Sequence, residues 1–200
     1  MFSIEKNIRK INKIEQYKMP EYVQFHSRSA IDKSKRFPYP DAMRRLSNFS
    51  NHNVEYKGIL YETVEHAFQA QKYDYTKKQL LMPVDVAPIK EFFHNGEIQT
   101  PQMAKTQGGK SAMKSRGVEL DIDAWNQVKD TIMRDLIASK IERHDDIRQI
   151  LLVAKDRNYL FLHFARNDFE WGGQLSPNKK DIIGENKLGN IYNDWIHSIQ

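Results

Sequence analysis

The stretch AWNQVKDTIMRDLIASKIE, residues 124 to 142, lays Val128, Ile132, Leu136 and Ile137 along one stripe of an α-helix. A stripe of that length must lie against other hydrophobic elements, so it commits the chain to a helical core. Asp123 stands in front of it as a candidate N-cap. IRQILLVA (147–154) predicts another helix, LGNIYNDWIHSI (188–199) a closing one, and residues 85–94 a short one. TPQMAKTQ sets Thr100 as N-cap with Pro101 at the first helical position. YLFLHFA (159–165) is the best strand, rich in aromatic and aliphatic residues, and YKGILY (56–61) reads as a short strand or turn. Residues 166–184 read as loop. The expected fold class is mainly α: a compact, single-domain helical body with a few short β-strands.

With 200 residues, 40% of them hydrophobic, the chain can bury one sizeable core, and no long polar linker divides it. Ile4, Ile8 and Ile11 recur at helical spacing among basic residues, so residues 1–36 are expected to form an amphipathic helix and a linker. Pro20, Pro38 and Pro40 interrupt regular structure, and the body is assigned to residues 37–200. The absence of cysteine excludes a disulfide framework, thiolate chemistry and cysteine-bound zinc, and fits a reducing compartment. The first residues, MFSIEKNIRKINKIEQYK, offer neither a secretory signal nor a membrane span, so a cytoplasmic protein is expected. Thirty-one basic against 26 acidic residues give a net charge of +5, which favours anionic ligands weakly.

The segment YETVEHAFQAQKY (61–73) poses the chemical question. Thr63 can cap a helix running to about Lys78, in which Glu65, Gln69 and Lys72 fall at about 0°, 40° and −20° around the axis and so share a face. On spacing alone this is a solvated stripe beside the apolar one; the sharper reading is a pocket wall with a proton-transfer group and a nucleophile. His66 lies off that arc and reads as a core or hydrogen-bonding histidine.

AKTQGGKS (104–111) approaches a phosphate-binding P-loop but has Ala104 where glycine is required and no strand before it, so a Gly-rich surface loop is the better account of Gly108 and Gly109. The seven histidines are scattered without a His-Glu-x-x-His helix, and HDD (144–146) reads as a helix junction; no metal and no cofactor is expected. In NDFEWGGQ (167–174), Trp171 beside glycines and carboxylates is either a lid on the core or a stacking surface for a flat base or sugar. GENKLGN (184–190) is either an anion-binding helix start or a plain turn and cap.

Taken in order, these motifs resemble the NADAR, or YbiA-like, family of N-glycosidases over roughly residues 41–196. The resemblance rests on LSNFS (46–50), GILYETVEHAFQAQK (58–72), Ala104 with Gly108 and Gly109, Trp125, Met133 and Lys140, Leu151 and Leu152, DFEWGG and GENKLG. The chain departs from the family pattern at His163, where relatives often carry Glu, and at Ile196, where many carry Arg. Residues 1–36 have no counterpart in the compact members.

The resemblance implies a mainly helical domain that hydrolyses N-glycosidic bonds to ribose. Its expected substrate is ADP-ribosylated guanine, in nucleic acid or nucleoside; the alternatives are ribosylamino-pyrimidine intermediates of riboflavin synthesis, or a non-catalytic module binding ADP-ribose or nucleotides. It implies Glu65, Lys72 and Asp168 as catalytic residues, with Lys72 forming a Schiff base to the sugar and Asp168 binding a hydroxyl. Ser47, Asn48, Phe49, Gln69, Trp171, Gly172, Asn186 and Gly189 are implied to bind the substrate. Trp125, in an apolar stripe, is expected to lock its helix into the core. The expected partners are ADP-ribosylated nucleic acid or a small ribosylated molecule, with no membrane and no metal.

Overall fold

Short polar side chains fix where three of the described helices start. A computed structural model describes residues 20–77, 84–178 and 181–199; the expected N-terminal amphipathic helix lies outside these residues. The described elements are, in order, β1 (Glu21–Phe25), α1 (Ala42–Arg45), β2 (Val54–Tyr56), β3 (Ile59–Tyr61), α2 (Val64–Gln71), α3 (Ala87–Glu91) and α4 (Pro101–Gln107). These are followed by α5 (Lys110–Ser115), α6 (Ile122–Arg143), α7 (Asp145–Asp156), β4 (Tyr159–His163), β5 (Gln174–Leu175), β6 (Ile182–Ile183) and α8 (Lys187–Ser198). The fold is mainly α with a few short strands.

Thr63 caps α2 by accepting from His66 N, and Thr100 caps α4 by accepting from Met103 N, with Pro101 first in the helix. The cap of α6 is Asp121, which accepts from Ala124 N, and not Asp123; Asp123 sits in the first turn, where a carboxylate suits the helix dipole. Helix α2 stops well short of Lys78. It passes into a 3₁₀ turn at Lys72–Asp74, after which Thr76 bridges Leu120 and Lys77 N donates to Glu119 O at 2.8 Å. Pairing with a distant extended segment overrides the local helical preference.

Strands β1 and β4 run parallel, with Val23 opposite Phe161 and Phe25 opposite His163. The segment expected as a linker up to residue 36 therefore contains a strand of the body, and Phe25 is fully buried in the core. β2 and β3 form a hairpin across Lys57 and Gly58, both at positive φ, as a two-residue mirror-image turn requires. Part of the presumed loop 166–184 pairs as the hairpin β5–β6. Helices α2, α6 and α8 converge on one core in which Leu46, Leu136, Ile137, Phe161 and Tyr192 are fully buried, each worth about 1.5–3 kcal/mol in apolar burial. Trp125 packs there too, its ring 5.1 Å from that of Phe68, and Ile196 is another core residue. Among the described residues no helix is long and apolar enough to cross a membrane.

Candidate active site

Every residue of α2 is buried, so its polar face cannot be a solvated stripe. Glu65 and Gln69 are only 6% and 5% exposed, and they open with Lys72 onto a cavity of about 840 Å³. Gln69 Nε2 donates to Glu65 Oε1 at 2.8 Å. Lys72 Nζ donates to Gly108 O at 3.3 Å, which ties the end of α2 to the α4–α5 turn. Gly108 has to be a glycine there, because a Cβ would overlap the Gln69 carboxamide.

Burial pushes the Glu65 carboxyl above its ordinary pKa, against the Gln69 hydrogen bond and the charges of Lys105 and Lys72. Burial likewise pulls the Lys72 ammonium down; Glu65 opposes this and Lys105 adds to it. A carboxyl whose pKa is raised and an amine whose pKa is lowered thus share one wall.

Ser47, Asn48 and Phe49 also line the cavity, held beside the start of α2 because Glu65 N donates to Asn48 O at 3.1 Å. Asn48 Nδ2 contacts Met133 Sδ at 3.6 Å, whereas Asn48 Oδ1 and Gln69 Oε1 are buried without a hydrogen-bond partner. Two such acceptors at one cavity suit a ligand rich in hydroxyl or amino donors. Asp168 lines the cavity and also braces its own loop, accepting from Trp171 N at 3.1 Å. Trp171 packs edge-on to Phe68 at 5.5 Å with one side toward the cavity.

Gly172, Asn186 and Gly189 are not among the cavity-lining residues; they knit the structure behind it. A Cβ on Gly172 would lie 2.5 Å from His163 O, and one on Gly189 would overlap Asn186. Asn186 is buried at positive φ, its Oδ1 accepting from His163 N at 2.9 Å and its Nδ2 donating to Phe161 O at 3.0 Å. The start of α8 is a plain cap, because Lys187 N and Leu188 N donate to the carbonyls of Glu170 and Trp171. The loop carrying Trp171 is thereby fastened to α8.

Sequence reasoning missed Lys105, Gln102, Arg28 and Arg166, all of which line the cavity. Gln102 and Lys105 share a face of α4 at i, i+3, a spacing that shows only a common polar face and not the cavity it meets. Arg28 and Arg166 carry no local signal. His163 lines the cavity as well, its Nδ1–H donating to Trp171 O at 3.2 Å, and burial lowers its pKa despite that carbonyl. His66 is fully bonded in the core, to Thr63 Oγ1 at 2.8 Å and Ile98 O at 2.9 Å. Residues 104–111 run helix, Gly108–Gly109, helix, without the strand a P-loop needs.

His144 does join α6 to α7, and with His52 and Asp146 it forms a cluster whose candidate ligand atoms lie within 4.8 Å of one another. Asp146 Oδ2 there accepts from Arg45 at 2.5 Å and from His52 Nε2 at 2.8 Å, so a guanidinium already neutralises the carboxylate.

Comparison with known proteins agrees with this geometry. The NADAR domain model matches residues 9–196. The chain is 32% identical over 144 residues to the N-glycosidase Npun_R5314 of Nostoc punctiforme, covering 72% of this chain and 78% of that protein. It is 26% identical over 139 residues to the N-glycosidase YbiA of Escherichia coli K12, covering 70% and 74%. The solution structure of Escherichia coli YbiA superposes with a TM-score of 0.60 at 23% identity, covering 92% of this chain and 88% of that one, and shares its fold. The chain belongs to the NADAR domain family.

Proposed function

We propose that this cavity hydrolyses the ribose–nitrogen bond of ADP-ribosylated guanine. The reaction class, cleavage of an N-glycosidic bond, is that of the curated relatives. The observation that carries the reading is the placement of Glu65, Gln69 and Lys72 on one wall of a sheltered cavity, where burial raises the pKa of Glu65 and lowers that of Lys72.

A glycoside of an exocyclic amine can open its ring to an imine at C1. The unprotonated Lys72 amine adds to C1, and the resulting aminal expels the guanine amine after Glu65 supplies a proton. Lys72 is left as a Schiff base. One water then adds to C1 and releases the aldehyde sugar and the free amine of Lys72, with Glu65 reprotonated from the proton balance of that hydrolysis. Gln69 holds the Glu65 carboxyl in place, Asp168 takes a sugar hydroxyl, Asn48 and Ser47 hold the ribose, and Phe49 and Trp171 face flat rings.

The substrate assignment has its support at the rim. Arg28, Lys105 and Arg166 line the cavity, and among the described residues none of them forms an ion pair. Cations without an ion-pair partner around a cavity of about 840 Å³ suit the diphosphate of an ADP-ribosyl group. Guanine N2 lies in the minor groove of a duplex, so single strands, extruded bases or nucleosides are the substrates that reach the pocket.

Mass spectrometry of ADP-ribosyl-guanosine and of a ribosylamino-pyrimidine phosphate, each incubated with wild type and Glu65→Gln, tests this. Release of ADP-ribose from the first by wild type alone supports the proposal. Turnover confined to the pyrimidine assigns the alternative substrate, and binding with no turnover of either would make the chain a nucleotide-binding module. Borohydride present during turnover is expected to fix sugar mass on Lys72; full activity in Lys72→Ala would remove the covalent step.

A further inference from the structure

Lys140 is fully buried in α6, and among the described residues it has no carboxylate in an ion pair. Its Nζ donates to Arg45 O at 2.6 Å, to Ser47 O at 2.9 Å and to Ser50 Oγ at 2.8 Å, which uses all three donors of an ammonium. Neighbouring groups extend the pattern: Leu46 O accepts from the buried Tyr192 hydroxyl at 2.9 Å, and Asn48 O from Glu65 N at 3.1 Å. Four consecutive carbonyls, from Arg45 to Asn48, are thus each fastened by a donor. With the backbone held in this way, Ser47, Asn48 and Phe49 line the cavity. Met133 stands two helical turns before Lys140, at i−7 on the same face of α6, and receives Asn48 Nδ2.

An apolar side chain would fill the Lys140 site without the cost of burying an ammonium. What it could not do is bind three acceptors spread over six residues in one conformation. We propose that Lys140 is a positioning residue, which sets the conformation of residues 45–50 and so presents Asn48 and Phe49 to the substrate. The lysine does not touch the reacting atoms; it acts through the segment it holds. The catalytic consequence rests on the cavity being the substrate site, whereas the conformational part stands apart from it.

The test is hydrogen–deuterium exchange together with steady-state kinetics on ADP-ribosyl-guanosine, for wild type, Lys140→Met and Ser50→Ala. In Lys140→Met, amides of residues 46–50 should exchange at least about tenfold faster while those of α7 and β4 hold their rates. KM should rise about tenfold or more, with a smaller change in kcat. Ser50→Ala, which removes one acceptor of Lys140 together with the hydroxyl's own donation to the carbonyls of Arg45 and Ser47, should move both readouts the same way by about two- to fivefold. Unchanged exchange at 46–50 in a folded Lys140→Met, a rise spread evenly over the chain, or an unchanged KM would overturn the proposal. If Lys140→Met does not fold, Ser50→Ala decides by the same readouts. A wild type that turns over no ribosyl substrate would sink the functional reading, and the exchange pattern would still judge the role of Lys140.

Discussion

Glu65 and Gln69, one helical turn apart, are joined by a 2.8 Å hydrogen bond inside the protein, where neither side chain meets bulk water. A carboxyl so placed resists ionisation. Glu65→Gln keeps the volume and removes the titrating group. Turnover, followed by mass spectrometry, should drop by about 10²–10⁴-fold. The melting temperature near neutral pH should hold or rise, because a carboxyl with a raised folded pKa costs stability once pH exceeds its unfolded pKa. Parallel losses of turnover and melting temperature would make Glu65 structural.

Gly108 and Gln69 are in close contact, and Gly108→Ala places a methyl group where the carboxamide now sits. The variant should lose about 1–3 kcal/mol of stability in denaturant unfolding and should lose activity with it, as Gln69 is pushed off Glu65. Gln69→Ala combined with Gly108→Ala should recover part of that stability while remaining poorly active, because the carboxamide is gone but the Cβ at position 69 still lies 2.8 Å from the new methyl group; no recovery at all in the double variant would mean that the clash lies elsewhere.

The Lys72 amine attacks only when unprotonated, so the rate of borohydride trapping should fall as pH drops through its depressed pKa. Lys105 contributes to that depression as a neighbouring like charge. Lys105→Gln should therefore move the acidic limb of the trapping profile toward higher pH. A limb that stays put, or moves to lower pH, would show that Lys105 does not act on Lys72.

Asp146 answers a stability question. Burial raises its pKa, but hydrogen bonds from His52 and Arg45 outweigh this and hold it at about 2, against 3.8 for a free side chain. Its stabilisation is fully present above pH 3.8 and is lost as pH falls from there through about 2. With solvent screening the contribution is about 1–2 kcal/mol. Acid titrations of unfolding free energy should lose that step in Asp146→Asn, and an unchanged titration would assign the acid sensitivity to other carboxylates.

Much of the architecture can be read locally. The caps Thr63 and Thr100, the stripe through Leu136 and Ile137, and the strand at Tyr159–His163 follow from side chains that act on their own or the next turn. Periodicity carries helix α2 on toward Lys78 because the pairing of Thr76 with Leu120 is invisible to it. β1 reads as linker in the sequence because its partner lies more than a hundred residues away. Glu65, Gln69 and Lys72 were legible as one face, and Trp171 as a ring beside a carboxylate. Lys105, Arg28 and Arg166 were not, since a lone cation on a polar face looks the same whether it meets water or a cavity.

The sequence by itself determined that this chain builds helices around one core and that an acid, an amide and an amine share a helix face, because capping and periodicity operate within a few residues. Only the tertiary structure decided that this face is buried, that Gly172, Asn186 and Gly189 pack outside the cavity lining while Asn48 and Trp171 belong to it, and that Lys140 donates to the segment from Arg45 to Ser50. Burial and desolvation depend on what long-range packing brings alongside, and no local spacing encodes that.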